Sequence, residues 1–181
     1  MTNDHDITEL LKRSTHGNHK TLDALIPRIY AQLRQLAHRQ RAQESAHTLG
    51  TTALVHEAYL TVAKRNGIEF TDRAHLYAYI SRVMRHILID RARRKRAQKR
   101  QIPELAASEN KPEVADVLAL DEALNKLEAM DQRLGRVAEL RLFAGLSALE
   151  IAGVVGVTAR TVERDWLKAR TFLAGCLMPT A

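Results

Sequence analysis

Residues 146–173 read LSALEIAGVVGVTARTVERDWLKARTFL, and their pattern decides how the chain folds. Ser147 stands three residues before Glu150, the spacing of a capping box at a helix start. Leu149, Ile151, Ala152 and Val155 follow as an apolar patch at helical spacing. Gly156 suits the positive φ that ends a helix, and Thr158 suits the cap of the next one. Val162, Trp166, Ala169 and Leu173 fall at i, i+4, i+7 and i+11, which predicts one buried stripe. Arg160, Thr161, Arg164 and Lys168 fall mostly on the other side. A short helix, a tight turn and a longer helix with polar and basic groups on its first turns is the arrangement of a DNA-binding helix-turn-helix. Any αα-hairpin with a glycine turn shares the apolar part of this pattern, so the rest of the chain has to discriminate.

Working outward, charge divides the 181 residues into three blocks. Residues 1–100 carry a net of +10, residues 101–131 a net of −6 and residues 132–181 a net of +3. Two basic blocks around an acidic connector predict two nucleic-acid-facing domains joined by a linker. Few aromatics and abundant Ala, Leu and Arg favour helices over strands. The expected fold is therefore all-α: two small helical domains joined by a flexible linker, the C-terminal one a four-helix domain with the helix-turn-helix. Its boundaries are 1–100, 101–115 and 116–178. The lone Cys176 excludes an internal disulfide and reads as a small core residue. The N-terminus MTNDHDITEL has no signal-peptide character, and no apolar run approaches the ~20 residues of a membrane span. Both point to a cytoplasmic protein.

Apolar residues Ile7, Leu10 and Leu11 predict a short first helix. Leu22, Leu25, Ile26, Ile29, Leu33 and Leu36 predict a second over 21–43, with Pro27 near its start, where proline is tolerated best. A third, over 51–65, has Ala53, Leu54, Ala58, Leu60, Val62 and Ala63 on one broad side and ends at Asn66-Gly67. After a loop containing Phe70, a long helix is expected over 74–100. Its first half is apolar on one side, through Leu76, Ile80, Val83, Met84, Ile87 and Leu88. Pro103 and Pro112 bracket a stretch without helical period, a linker composition. Val117, Leu120, Leu124 and Leu127 restore the period, and Asp131 is placed to cap a further helix that stops near Gly145.

Residues 82–100 hold nine Lys/Arg and one Asp. Cations this dense repel along a helix, and a polyanion compensates them. Phosphate contacts position a protein, whereas unstacked bases need aromatic or apolar surfaces. Phe70, Tyr77 and Tyr79, just before the basic run, are candidates for that task; as alternatives, the tyrosines are core residues with a hydroxyl at the surface. His56-Glu57 begins like a zinc-protease motif, but Leu60 occupies the second histidine position. Neither metal site nor cofactor site, phosphate loop, nucleophile elbow nor carboxylate pair is evident, so no enzyme chemistry or small-molecule substrate is expected.

In this order, ALVHEAYLTVAK, a loop, AHLYAYISRVMRHILIDRARRKR, a proline-bearing linker and the helix-turn-helix, the chain resembles the extracytoplasmic-function (ECF) sigma factors, the smallest promoter-specificity subunits of bacterial RNA polymerase. The resemblance covers about residues 8–173. It implies core RNA polymerase as a partner, through its clamp coiled coil and flap, and promoter DNA; an anti-sigma factor is a further candidate. Leu54, His56, Glu57 and Leu60 match the segment that docks on the polymerase clamp. Asn66, Phe70 and Tyr79 match the loop and helix start that capture a flipped base of the downstream (−10) element. Arg82, Arg85, Arg91, Arg93 and Arg94 match the basic helix that holds the separating strands. Arg160, Thr161, Arg164 and Lys168 match the recognition helix in the major groove of the upstream (−35) element. Tyr79 stands where a Trp is common and His86 where an Asn is common.

Two other function classes fit parts of the sequence. A free-standing helix-turn-helix regulator, binding duplex operators without polymerase, accounts for the C-terminus but not for the basic long helix. A DNA-processing enzyme would need a grouped Ser, Tyr or acidic metal cluster, which the sequence does not offer.

Overall fold

The computed structural model describes residues 7–9, 11, 19–42, 50–64, 70–101 and 113–177, and every regular element among them is helical. The helices are α1 (His19–Ala42), α2 (Thr51–Ala63), α3 (Arg73–Gln101), α4 (Glu113–Met130), α5 (Gln132–Glu139), α6 (Ala148–Val155) and α7 (Ala159–Leu177). A π-helical turn, Leu140–Ala144, extends α5. Residues 7–9 are helical as well, and Ile7 and Leu11 are buried.

The expected caps are present. Asp131 accepts from the backbone N–H groups of Arg133 and Leu134 at 3.0 and 3.1 Å and so starts α5. Ser147 and Glu150 form the capping box of α6, with the Ser147 N–H donating to Glu150 Oε2 at 2.8 Å and the Glu150 N–H to Ser147 Oγ at 3.3 Å. Gly156, at φ 75°, closes α6, and the N–H groups of Gly156 and Val157 both donate to Ala152 O. Gly145, at φ 65°, closes the π turn. A side chain there would also strike the Arg39 guanidinium of α1.

Several expectations change. Pro27 lies well inside α1, not in its first turn. It is exposed, while Leu25, Ile29, Leu33 and Leu36 on the opposite face are buried and hold the helix by packing. On α2 the buried set is Leu54, Val55, Ala58 and Val62; Ala53 and Leu60 face outward. The buried face of α3 continues past Leu88 to Ile89 and Ala92. Cys176 is exposed on the last turn of α7 and is not a core residue. Most of the predicted linker lies outside the described residues; Gln101 belongs to α3, and α4 begins at Glu113.

The largest change concerns the C-terminal core. Ala123, Leu124, Leu127, Ala138, Phe143, Ala169 and Leu173 form a small cluster of their own. Val137, Leu140, Ala144, Leu146, Ile151, Ala152 and Val162 instead join the cluster built by α1, α2 and α3. A four-helix unit of this size is short of apolar surface to bury by itself. Packing against α3 supplies it, at roughly 1.5–3 kcal/mol per large side chain removed from water. Buried Gln40 of α1 stitches the same seam. Its Nε2 donates to Ser81 O and Ser81 Oγ at 3.0 Å and to Phe143 O at 3.4 Å.

Candidate nucleic-acid interface

The helix-turn-helix presents its cations as the apolar stripe requires. Val162, Ala169 and Leu173 are buried, Trp166 is half-buried, and Arg160, Arg164 and Lys168 are exposed at i, i+4 and i+8. Thr158 Oγ1 accepts the Thr161 N–H at 3.2 Å and lies 2.9 Å from Thr161 Oγ1. Half-buried Thr161 therefore helps fix the start of α7. Asp165 is completely buried and accepts from Arg133 Nε at 2.7 Å. Sequence reasoning missed this acid, although it stands three residues after Val162 and four before Ala169, on the buried face.

The second site lies along α3. Phe70 meets His75 and Tyr79 edge-on, with ring centroids at 5.8 and 5.6 Å. Asp72 caps the helix by accepting the His75 N–H at 2.8 Å, which fixes where His75 begins the turn. Tyr79, His75 and His86 face a groove of about 1020 Å³ whose rim carries Arg82, Arg91 and Arg94. The His86 Nδ1 lies 2.7 Å from the Arg82 carbonyl. A carbonyl only accepts, so Nδ1 donates this bond. The groove combines π faces, hydrogen-bonding edges and cations, the features that hold an unstacked nucleotide. Asn66 lies outside the described residues.

Arg91 pairs with Glu57 of α2, bringing a candidate strand contact and a candidate polymerase contact together. His56 and Leu60 stand exposed one helical turn apart, beside Glu57. Leu54 does not share that surface. It is fully buried in the main cluster, because at this register its side chain points to α1 and α3 and away from solvent.

Arg85 also departs from expectation. Its side chain is only 9% exposed; Nη2 donates to Asp121 Oδ1 at 2.6 Å and Nη1 to Glu139 Oε1 at 3.1 Å. In this arrangement it faces the C-terminal helices and presents nothing to DNA. Asp121 and Glu139 were not singled out in the sequence. Glu139 lies between Ala138 and Leu140, and Asp121 follows Leu120 and stands three residues before Leu124, the one local sign that an acid is turned inward.

Arg73, at the start of α3, pairs with Glu150 of α6. Burial alone raises the Glu150 carboxyl. The hydrogen bonds from the Ser147 side chain and backbone, together with the Arg73 charge, outweigh that and hold it below its ordinary value.

Among the described residues no cluster of His, Cys, Asp and Glu is grouped to hold a metal ion, and no helix is long and apolar enough to cross a membrane. No curated protein matches the chain. The family model of the ECF sigma factors matches residues 4–177, through the basic helix, the connector and the helix-turn-helix alike. On that match, the chain belongs to the ECF sigma factors.

Proposed function

We propose that this sigma factor acts in transcription initiation by three surfaces on one chain. His56, Glu57 and Leu60 of α2 form the face for the clamp of core RNA polymerase, and the flap takes the C-terminal half. Arg160, Arg164 and Lys168, set by Thr161, read the upstream (−35) element as duplex. The groove lined by Tyr79, Arg82, Arg91 and Arg94, with Phe70 packed on Tyr79, receives the melted downstream (−10) element, and Arg93 and Asn66 are assigned to the same task. Residues 1–100, 101–115 and 116–178 then serve as melting unit, connector and duplex reader.

The observation that carries this reading is the aromatic trio of Phe70, His75 and Tyr79, of which His75 and Tyr79 line an arginine-rimmed groove. Stacking on such faces stabilises unpaired bases by about 1–3 kcal/mol each, which offsets part of the cost of opening the duplex. A free-standing duplex regulator has no use for that groove.

Promoter-directed transcription with purified core polymerase, with and without this protein, is the test. Specific transcripts only when both are present are expected. Tight, specific duplex binding by the protein alone, with no transcripts, would replace this reading by that of a regulator. Glu57→Lys is expected to weaken core binding while circular dichroism stays native; normal core affinity in that variant removes the docking assignment.

A further inference from the structure

The face of α7 that carries the cations carries two other groups. Leu167 is 59% exposed, and among the described residues of α7 the one other large apolar side chain left in water is Leu177, on the last turn. At about 100° per residue, Leu167 stands about 20° from Arg160 and about 60° from Arg164 around the helix. It is at least about 120° from buried Val162, Ala169 and Leu173. Around that face the order is Glu163, Leu167, Arg160, Arg164, Lys168, all exposed. A carboxylate and an apolar branch therefore border the row of cations.

The core accounts for neither. A leucine turned to solvent gains nothing from burial. Glu163 Oε1 accepts from Arg141 Nη2 at 3.4 Å, and the Glu163 side chain is 54% exposed. Exposed ion pairs of this kind contribute little to stability. Arg141 belongs to the π turn and is itself held by the Leu146 carbonyl, to which its Nη1 donates at 3.4 Å. It directs Glu163, offsets the repulsion between that acid and phosphates, and leaves Oε2 to accept another donor.

In a major groove both chemistries have definite partners. The cytosine amino group donates to a carboxylate, and the thymine methyl group takes an apolar contact, whereas arginine takes guanine or phosphate. Residues 163 and 167 are about 6 Å apart along the helix, about two base-pair steps at about 3.4 Å each. We infer that Glu163 and Leu167 read bases: Glu163 accepts from a cytosine amino group, and Leu167 packs on a thymine methyl within two base pairs of it. This deepens the duplex-reading role proposed above and rests on it. The acid also rejects guanine, whose major-groove edge carries only acceptors. The cations fix where the helix lies, and the Glu163–Leu167 edge narrows which sequence it accepts.

The test uses the full chain with core polymerase and a pool of promoter duplexes randomised in the upstream element. The wild-type holoenzyme is expected to select cytosine at one position and thymine at a second within two base pairs of it. Replacing that thymine by uracil removes the methyl alone and should lower affinity about fourfold, the effect of one apolar carbon. This scan needs no variant. Leu167→Ala should bind the thymine and uracil duplexes equally. Glu163→Gln should move the preferred base from cytosine to adenine by roughly tenfold, since an amide pairs with the adenine edge. Met130→Ala, which trims an exposed apolar side chain at the end of α4, should keep the wild-type selection and the uracil effect. Circular dichroism checks that each variant keeps its helicity.

A wild-type holoenzyme that ignores the methyl of every selected thymine overturns the Leu167 contact. An unchanged base preference in Glu163→Gln overturns the Glu163 contact. If Leu167→Ala loses affinity for core polymerase while the uracil effect persists, the leucine is a protein contact and the inference fails. Selection without preference at any upstream position removes the duplex reading itself. A preference that neither variant alters removes only the roles of Glu163 and Leu167.

Discussion

On α7, Arg160, Arg164 and Lys168 stand in solvent while Asp165 is turned inward to Arg133. On α3 the geometry is inverted: Arg85 is turned inward, and the acids that meet it arrive from α4 and α5. Helix α7 is completed by near neighbours, with a Thr158 cap, an apolar stripe and a salt bridge to Arg133 of α5. Helix α3 is completed by residues 36 and 54 positions away from Arg85. A surface finished locally is preformed for its ligand. One finished by distant parts of its own chain depends on how the whole chain packs.

The contrast breaks first at the shared core. Ile151 is fully buried in the cluster common to both halves, so Ile151→Ala is expected to cost about 2–5 kcal/mol in denaturant unfolding. Wild type and variant should each lose helicity in one transition. Two separated transitions, with only the later residues affected, would show that the halves are independent and erase the distinction between them.

Arg164→Ala sharpens the other side of the comparison. It should weaken upstream-element binding by about 1–3 kcal/mol, confined to one or two base positions if the side chain reads a base edge. Binding titrations across single-base variants of the element decide this; a uniform loss makes it a phosphate contact. Ser147→Ala removes the capping box of α6 and is expected to destabilise the protein by about 1 kcal/mol, measured by thermal melting. An unchanged melting temperature means that packing alone sets the entry to the helix-turn-helix.

The smallest effect is in pH. The Glu150 carboxyl is held below its ordinary 4.5 in the folded chain. Its contribution to stability is therefore present above about pH 4.5 and is lost as pH falls through the lower folded value. Stability measured from pH 6 to pH 3 should fall more steeply in wild type than in Glu150→Gln. Parallel curves would mean that the carboxyl gains nothing from Ser147 and Arg73.

What the sequence made legible is what neighbours decide. Ser147 with Glu150, Asp131, Gly145 and Gly156 act within one helical turn, and all four end or begin helices where their chemistry predicts. The exposed cations of α7 follow from a stripe counted along a single helix. The pairing of Arg85 with Asp121 and Glu139 is different in kind. Nothing near Arg85 marks it apart from Arg82, and its burial depends on which surface α4 and α5 choose. Leu54 and Leu60 illustrate the same limit on α2: both are leucines on an apolar-rich helix, and only the packing of α1 and α3 tells which one goes inside. The basic helix was legible as a row of charges, but not as a row already half-neutralised.

The π turn at Leu140–Ala144 fits one more residue into its loop of hydrogen bonds than an α turn does. One residue is worth about 100° of rotation around a helix axis. That turn therefore sets the phase between α5 and the helices that follow it, and its own residues divide between the two cores, Leu140 and Ala144 in the main cluster and Phe143 in the small one. A single deletion there is expected to restore a regular helix and to swing Arg160, Arg164 and Lys168 by about 100° relative to α3. The length of that short segment is thus a constraint separate from the identity of the residues within it.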